Sequence, residues 1–155
     1  LHPLRNIQNR FFGTDAGAKS KVNLAASYFI NNAIEIVDGL PAVIYNKVLI
    51  TRGDLTGFQN VEAQAATGGV INLTWEDNGL QGNALATDKV SVVCYFEAVS
   101  AFEIFVGVAF RSDAEASITL HSSYQGMEAQ VYAFIANEAE TQACNSVYLG
   151  LVTLG

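Results

Sequence analysis

The chain has 155 residues, enough for one domain with a substantial core, and it carries 15 acidic against 8 basic side chains. The net charge of −7 argues against nucleic acid and anionic membranes as partners, because both attract Lys and Arg. Only 15% of the residues are charged although half are hydrophobic, so we expect an unusually neutral surface.

The amino-terminal segment is weakly basic and precedes an acidic body. Arg5, Arg10, Lys19 and Lys21 are half of the basic residues, and none follows Arg111. The segment is either a solvated helical face or a surface that docks on the acidic face of a neighbouring subunit.

No apolar run reaches the roughly 18 residues of a transmembrane segment. The chain begins at Leu1 rather than Met, and we expect that a preceding segment has been removed.

Two helices are predicted before residue 41. Pro3 suits a first helical turn, and apolar residues at spacings of three and four predict a short helix that ends at Gly13. A second apolar stripe predicts a helix from Ala18 to Val37, closed by Asp38, Gly39 and Pro41. Residues 1–41 are therefore predicted to form a helical segment.

Strand patterns separated by turn residues follow Pro41. The predicted strands are 43–51, 61–66, 70–76, 89–97, 102–111, 116–121, 129–137 and 144–152. This succession predicts a mainly β protein in which residues 42–155 form an antiparallel β-sandwich.

Trp75 is the predicted centre of the sandwich core. Ile71, Leu73 and Trp75 alternate with polar neighbours, as in a strand with one buried face. In the strand 102–111 the same alternation places Phe102, Ile104, Val106, Val108 and Phe110 together. Phe105 lies on the opposite face, so this strand is expected to be covered on both sides, by the helix or by another chain.

The two cysteines, Cys94 and Cys144, lie in predicted strands. They are either small buried hydrophobic residues or partners in a disulfide across the sandwich.

No catalytic residue is assigned, and we expect that the protein is not an enzyme. His121 is followed by Ser122 and Ser123, but nothing in the sequence places Asp113 or Glu128 beside it as a triad acid. A glycine-flanked nucleophile turn is also missing. His121 is therefore predicted to be a residue of the sandwich rim.

Oxygen ligands are concentrated in one predicted connection, which contains Glu76, Asp77, Asn78, Asn83 and Asp88. They could bind Ca²⁺, or they could be turn residues that bond their own backbone, which the lack of EF-hand spacing favours. No metal site and no organic cofactor is predicted. The glycosylation triplet at Asn72 lies inside a strand and matches frequently by chance.

Aromatic residues offer a further alternative, because a sugar ring stacks on an exposed aromatic face. The candidates are Tyr95, Phe105, Tyr124, Tyr132 and Phe134. Their alternation within strands favours a place in the core or in an interface.

Three segments carry a family resemblance: YNKVLITRGDLTGF from Tyr45, INLTWEDNGLQGNALATDKVSVVCYF from Ile71 and NSVYLG from Asn145. With the helix NLAASYFINNAI before them, they resemble an uncharacterised family of Bacteroidota proteins classed as a domain of unknown function. The resemblance covers most of the chain and implies no activity. The 70–150 region is also similar to fibronectin type III-like sandwiches, which implies an immunoglobulin/fibronectin III-like fold but no function.

The leading hypothesis is a non-enzymatic structural module that assembles with copies of itself into an extracellular filament, layer or particle. A chain with so few charges is expected to expose neutral patches, which often mark interaction surfaces. The amino-terminal segment 1–37 is the predicted contact. The alternative is a cell-surface module that binds a glycan or another protein, and an enzyme of unknown class is third.

Overall fold

The computed structural model describes residues 3–13 and 20–155, and its first element is the short helix α1, Arg5–Phe11. Leu4, Ile7 and Phe11 are buried along one face of this helix. The predicted helix before Gly13 is confirmed. The second helix, α2, spans Lys21–Asn32, and the Ser20 hydroxyl caps it by accepting a hydrogen bond from the Asn23 N–H at 3.2 Å. The predicted start at Ala18 lies outside the described residues.

A β-hairpin replaces the predicted carboxyl end of the second helix. Strands β1, Ile34–Val37, and β2, Leu40–Val43, pair antiparallel around Asp38 and Gly39. Both turn residues have positive φ, 51° and 78°, as the two-residue type I′ turn requires. The prediction of a helix to Val37 is wrong because the spacing of Ile34 and Ile36 also fits a strand, and Asp-Gly favours a hairpin turn over a helix stop.

Seven further strands form an antiparallel sandwich of the immunoglobulin/fibronectin III type. One sheet has the order β3-β4-β7 and the other β6-β5-β8-β9. The strands are β3 Glu62–Ala66, β4 Val70–Thr74, β5 Lys89–Phe96, β6 Ala101–Phe110, β7 Glu115–Thr119, β8 Glu128–Ala136 and β9 Val147–Thr153. The predicted fold class is confirmed, including the helical segment before the sandwich.

The space between the two sheets is filled as the strand alternation predicts. Ile71 and Leu73 are fully buried, and Trp75, directly after β4, is 5% exposed. The Trp75 ring meets Phe58 edge-on at a centroid distance of 5.7 Å, and its Nε1 donates a hydrogen bond to the Arg111 carbonyl at 2.8 Å. The core position of Trp75 is confirmed.

Helix α1 covers the outer face of the four-stranded sheet. Cross-strand partners point to the same face of a sheet. Ser91 pairs with Phe134 and Val93 pairs with Tyr132, so these four side chains share the outer face. The Phe11 ring lies 5.8 Å from that of Phe134, and Arg10 forms an ion pair with Glu140 at 3.1 Å. The sheet is thus apolar on both faces, and α1 packs on its own chain. The domain division at residue 41 stays a prediction.

The predicted apolar face of β6 is interrupted by a β-bulge. Its pairing with β5 shifts between Val90 and Val92, and Gly107, at φ +65°, donates its N–H to the Ser91 hydroxyl at 3.0 Å. Three residues, 106–108, stand opposite Ser91 alone, and Val106 is 61% exposed there. The expected face is interrupted only in the bulge: two extra residues keep the alternation, so Phe110 and Ile104, the partners of Lys89 and Val93, share a face.

The predicted strand 43–51 is wrong beyond Val43. A single-turn 3-10 helix, Tyr45–Lys47, follows it, and the chain then runs beside residues 144–146. The Ile50 N–H donates to the Ser146 hydroxyl at 2.8 Å, and the Thr51 hydroxyl donates to the Cys144 carbonyl at 2.8 Å. Side-chain hydrogen bonds replace a strand partner here, so no regular ladder forms.

Cys94 and Cys144 are both buried and unpaired. The Ile135 N–H donates to the Cys144 sulfur at 3.2 Å. The disulfide alternative is wrong, and the two thiols are small core residues.

Candidate functional site

A cavity of about 500 Å³ lies between the amino-terminal helices and the outer face of the four-stranded sheet. One wall is formed by α1 and α2, a second by the segment 43–50 and a third by β5, β6 and β8. The lining residues are Leu4, Gln8, Val22, Ala25, Ala26, Phe29, Ile30, Val43, Tyr45, Val48, Leu49, Ile50, Tyr95, Phe102 and Tyr132. None of them is charged. A space of this size with an apolar lining is typical of small-molecule sites.

Tyrosines connect the walls of the cavity. The Tyr132 hydroxyl donates to the Tyr45 carbonyl at 2.7 Å, which ties the segment 43–50 to β8. The Tyr95 ring lies 4.7 Å from Phe102 and 6.1 Å from Tyr45. These contacts give the cavity an aromatic floor that is fixed by the sheet.

Helix α2 is held loosely over this floor. Its one buried residue is Ala25, whereas Val22 and Phe29 are partly exposed and face the cavity. Part of the apolar surface of the helix, with Ile30 at 64% exposure, therefore stays uncovered within its own chain.

An exposed apolar surface continues from α2 onto the hairpin. We call it the hairpin face, defined by Ile30, Ile36, Val37, Leu40 and Val43. Ile36 and Leu40 are 70% and 69% exposed. The strand pairing turns Ile36 and Val43 to one side of the hairpin and Val37 and Leu40 to the other, so apolar side chains are exposed on both sides.

The aromatic residues considered for sugar binding do not form a platform. Tyr132 and Phe134 are buried, and Tyr124 stacks on Phe96 at 4.1 Å. Tyr95 is in the cavity floor, and Phe105 is half-buried opposite Val92. The interpretation as core residues is confirmed for the two buried rings.

Arg111 occupies the connection that sequence reasoning considered for Ca²⁺. Its side chain is fully buried, and its five N–H groups make five hydrogen bonds of 2.7–3.1 Å. The acceptors are the Asp88 carboxylate, the Asn78 side chain and the carbonyls of Thr56 and Gly57. A guanidinium has exactly these five donors and no others.

Arg111 therefore joins three connections of the sandwich through one cation. The remaining oxygen ligands are engaged locally: Asn83 accepts from the Thr56 N–H at 2.7 Å, Asp77 from the Gly79 N–H at 3.0 Å, and Glu76 from Asn60. Across 3–13 and 20–155, no three His, Cys, Asp or Glu side chains come together as metal ligands would. The sequence analysis did not identify the role of Arg111. The available signal was a single arginine at the end of a predicted strand in a chain with few charges.

The rim position predicted for His121 agrees with its exposure. Its Nδ1 accepts from the Ser123 N–H at 3.1 Å and lies 2.9 Å from the Ser123 hydroxyl. Asp113 instead accepts from the Phe110 N–H at 2.8 Å, and Glu128 is exposed at the start of β8. In the part of the chain that the structure describes, neither of these two acids lies beside His121.

Asn72, the first residue of the glycosylation triplet, is exposed, and its side-chain oxygen accepts a hydrogen bond from the Ser117 hydroxyl at 2.5 Å.

Stability should fall in alkaline solution, because several buried acids are held neutral by the fold. Burial raises the pKa of Cys94 from 9.0 to about 12 and that of Cys144 to about 11. Burial and then the nearby Glu97 raise the pKa of Tyr45 from 10.0 to about 12, and burial also raises the pKa of Tyr132.

The folded state keeps these protons while the unfolded state loses them, so the stabilisation is complete below pH 9 and declines from pH 9 towards pH 12. Urea unfolding midpoints at stepped pH should stay level below about pH 9 and decrease above it. A midpoint that does not change up to about pH 11 would contradict these pKa directions.

The two packed antiparallel sheets, with strand orders β3-β4-β7 and β6-β5-β8-β9, form an immunoglobulin/fibronectin III-like sandwich. The chain belongs to a family of unknown function, DUF6266, whose model matches residues 1–150. The expected membership of an uncharacterised family is confirmed, whereas the assignment to Bacteroidota stays a prediction.

No curated protein matches the chain. Among solved structures it is similar to the FN5 domain of Drosophila Lar, with 9% identity and a TM-score of 0.38 over 63% of this chain and 92% of that one. None of the described helices is long and apolar enough to cross a membrane.

Proposed function

We propose that this chain is a non-enzymatic structural module that associates with copies of itself through the hairpin face, as the subunit of an extracellular filament, layer or particle. The observation that carries the proposal is the exposure of five large apolar side chains on α2 and on β1–β2. The sandwich fold is consistent with a non-catalytic role, and among the described residues neither Asp113 nor Glu128 completes a triad with His121 and Ser123.

The hairpin lacks a covering layer in the monomer. Six of its eight strand residues and both turn residues are exposed, and a two-stranded sheet without a buried face is marginally stable in water. A second copy that encloses both sides of the hairpin would bury these apolar side chains. The same contact would order the hairpin and α2.

The outer edge of β1 can also accept another strand. The Ile44 N–H donates a hydrogen bond to the Ala33 carbonyl at 2.7 Å. Hydrogen-bonded and non-hydrogen-bonded pairs alternate along an antiparallel ladder, so the backbone N–H and C=O groups of Ile36 point away from β2. Pro41, opposite Ile36, has no N–H and closes the edge of β2 to extension. The open edge of the hairpin is therefore the one that carries Ile36.

The charge distribution favours a head-to-tail contact over a symmetric one. Residues 1–53 contain six of the eight basic residues and three acids, whereas residues 54–155 contain twelve acids and two bases. One of those two bases, Arg111, is neutralised by Asp88. Opposite charges would meet if the amino-terminal part of one copy contacted the acidic sandwich of the next. Repeated head-to-tail contacts of this kind build open assemblies.

This contact refines the expected one at segment 1–37. Helix α1 packs on its own sheet, and Arg10 is paired with Glu140 of the same chain. Deletion of α1 would expose the apolar outer face of the four-stranded sheet, so a change in assembly could not be separated from a change in folding. The hairpin face can be changed without touching the core.

Light scattering during gel filtration provides the test. The double variant Ile36→Asp with Leu40→Asp should elute as a monomer at concentrations where the unmodified protein forms larger species, because both new charges would be buried in the contact. Leu80→Asp is the matched control: Leu80 is 99% exposed, lies in the β4–β5 connection and is outside the hairpin face. It should assemble like the unmodified protein. Equal assembly of the double variant and the control would contradict the proposal.

A further inference from the structure

The cavity between α2 and the four-stranded sheet has the properties of a binding site for a small molecule. Its volume of about 500 Å³ falls within the range of roughly 300–1,000 Å³ that is usual for such sites. At about 30 Å³ per molecule, this space corresponds to roughly 15 waters. Aliphatic and aromatic walls give those waters few hydrogen bonds, so an apolar molecule that displaced them would be favoured.

The lining determines the charge of the ligand. No Lys, Arg, Asp or Glu is among the lining residues that the structure describes, so a charged group would lose its hydration without gaining a partner among them. A fatty-acid carboxylate and a phosphate headgroup are therefore disfavoured. The cavity suits an uncharged molecule.

One lining residue supplies a polar group with unused hydrogen-bonding capacity. Gln8 is 8% exposed, and its side-chain amide bonds none of the described residues, although its backbone carbonyl accepts from the Phe12 N–H. The amide can both donate and accept a hydrogen bond. A single hydroxyl or carbonyl group on the ligand would satisfy it.

We propose that this cavity binds an uncharged lipid-like molecule, with its hydrocarbon part between Phe29 and the Tyr95–Phe102 floor and its one hydroxyl or carbonyl group at Gln8. The ligand would pack against helix α2, because Val22, Phe29 and Ile30 would gain an apolar partner there. The cavity shares Ile30 and Val43 with the hairpin face, but Ile36 and Leu40 do not line it, so variants at those two positions separate binding from self-association.

Fluorescence titration with Nile red, an uncharged dye, tests for the site in the full chain. The unmodified protein should give a saturable, blue-shifted signal with one site per chain, and 1-dodecanol should displace the dye at lower concentrations than dodecanoate. Ala26→Phe places a ring in the cavity and should weaken dye binding at least about tenfold. Asn23→Phe, on the same helix but outside the lining, should leave it unchanged.

The Gln8→Leu variant tests the polar end. It should reduce the affinity for dodecanol about three- to tenfold, the effect of one hydrogen bond, while the circular dichroism spectrum stays the same. Three results would each overturn the proposal: no saturable signal with the unmodified protein, equal dye binding by Ala26→Phe, or displacement by dodecanoate as strong as by dodecanol. Dye binding that is lost in the Ile36→Asp, Leu40→Asp variant but kept in Ala26→Phe would place the dye on the hairpin face and also overturn it.

Discussion

Replacement of Arg111 by Met is expected to lower the free energy of unfolding by about 3–5 kcal/mol, the usual cost of removing one partner of a buried ion pair. The substitution leaves the fully buried Asp88 carboxylate without its cation. It also removes the donors to Asn78, Gly57 and Thr56. Urea denaturation followed by circular dichroism gives the change directly.

Arg52→Met is the control for this prediction, because Arg52 is exposed and its guanidinium lies over the Tyr28 ring at 5.4 Å. Its effect should be within about 1 kcal/mol. Combining Arg111→Met with Asp88→Asn should recover only part of the loss, since the Thr56 carbonyl and the Asn78 side-chain oxygen still lack the donors that Arg111 supplied. A loss below about 1 kcal/mol for Arg111→Met alone would show that the cluster does not hold the three connections together.

Trp75→Ala is expected to cost about 3–5 kcal/mol, because it opens a cavity between the two sheets beside Phe58, Ile71 and Leu73. Trp75→Phe keeps a ring in the core and removes the indole N–H bond to the Arg111 carbonyl. It should cost less than the alanine variant by at least about 1 kcal/mol.

Circular dichroism in urea serves for both Trp75 variants, and the unmodified protein offers a local probe because Trp75 is its one tryptophan. The emission of Trp75 should be blue-shifted in the folded state and move to longer wavelength in the same transition. Native emission at the wavelength of a solvated indole, or nearly equal stability of Trp75→Ala and the unmodified protein, would contradict the packing described here.

The strands of the sandwich were predictable because their signals are local. Each of β3 to β9 has an alternating or apolar run, and turn residues such as Asp77-Asn78-Gly79 separate them. The position of Trp75 followed from the same alternation. A buried face with a period of two leaves little choice of register.

The elements that were mispredicted depend on contacts distant in sequence. Ile34 and Ile36 fit a helix face and a strand equally well over so short a run, and the Asp38-Gly39 turn decides between them. The segment 44–51 is shaped by Ser146 and Cys144, almost a hundred positions away. The β6 bulge depends on Ser91 of the neighbouring strand.

The candidate sites were even less accessible to sequence reasoning. Asp88 and Asn78 were noted as oxygen ligands, but the fold had to bring Arg111, Thr56 and Gly57 to them. The cavity lies between helices and a sheet whose outer face shows no polar alternation, so the pattern gave no indication of a gap. A periodic pattern identifies the buried face of an element but not how tightly its neighbour packs.

The most direct test of the proposed self-association is sedimentation velocity of the unmodified 155-residue chain over a wide range of protein concentrations, at low and at physiological salt. The weight-average sedimentation coefficient should rise with concentration, and it should rise less at the higher salt because screening weakens the contact between the basic and acidic parts. Head-to-tail contacts predict a broad series of species rather than one dimer. A single species of 16.6 kDa at every concentration and both salts would contradict the structural role.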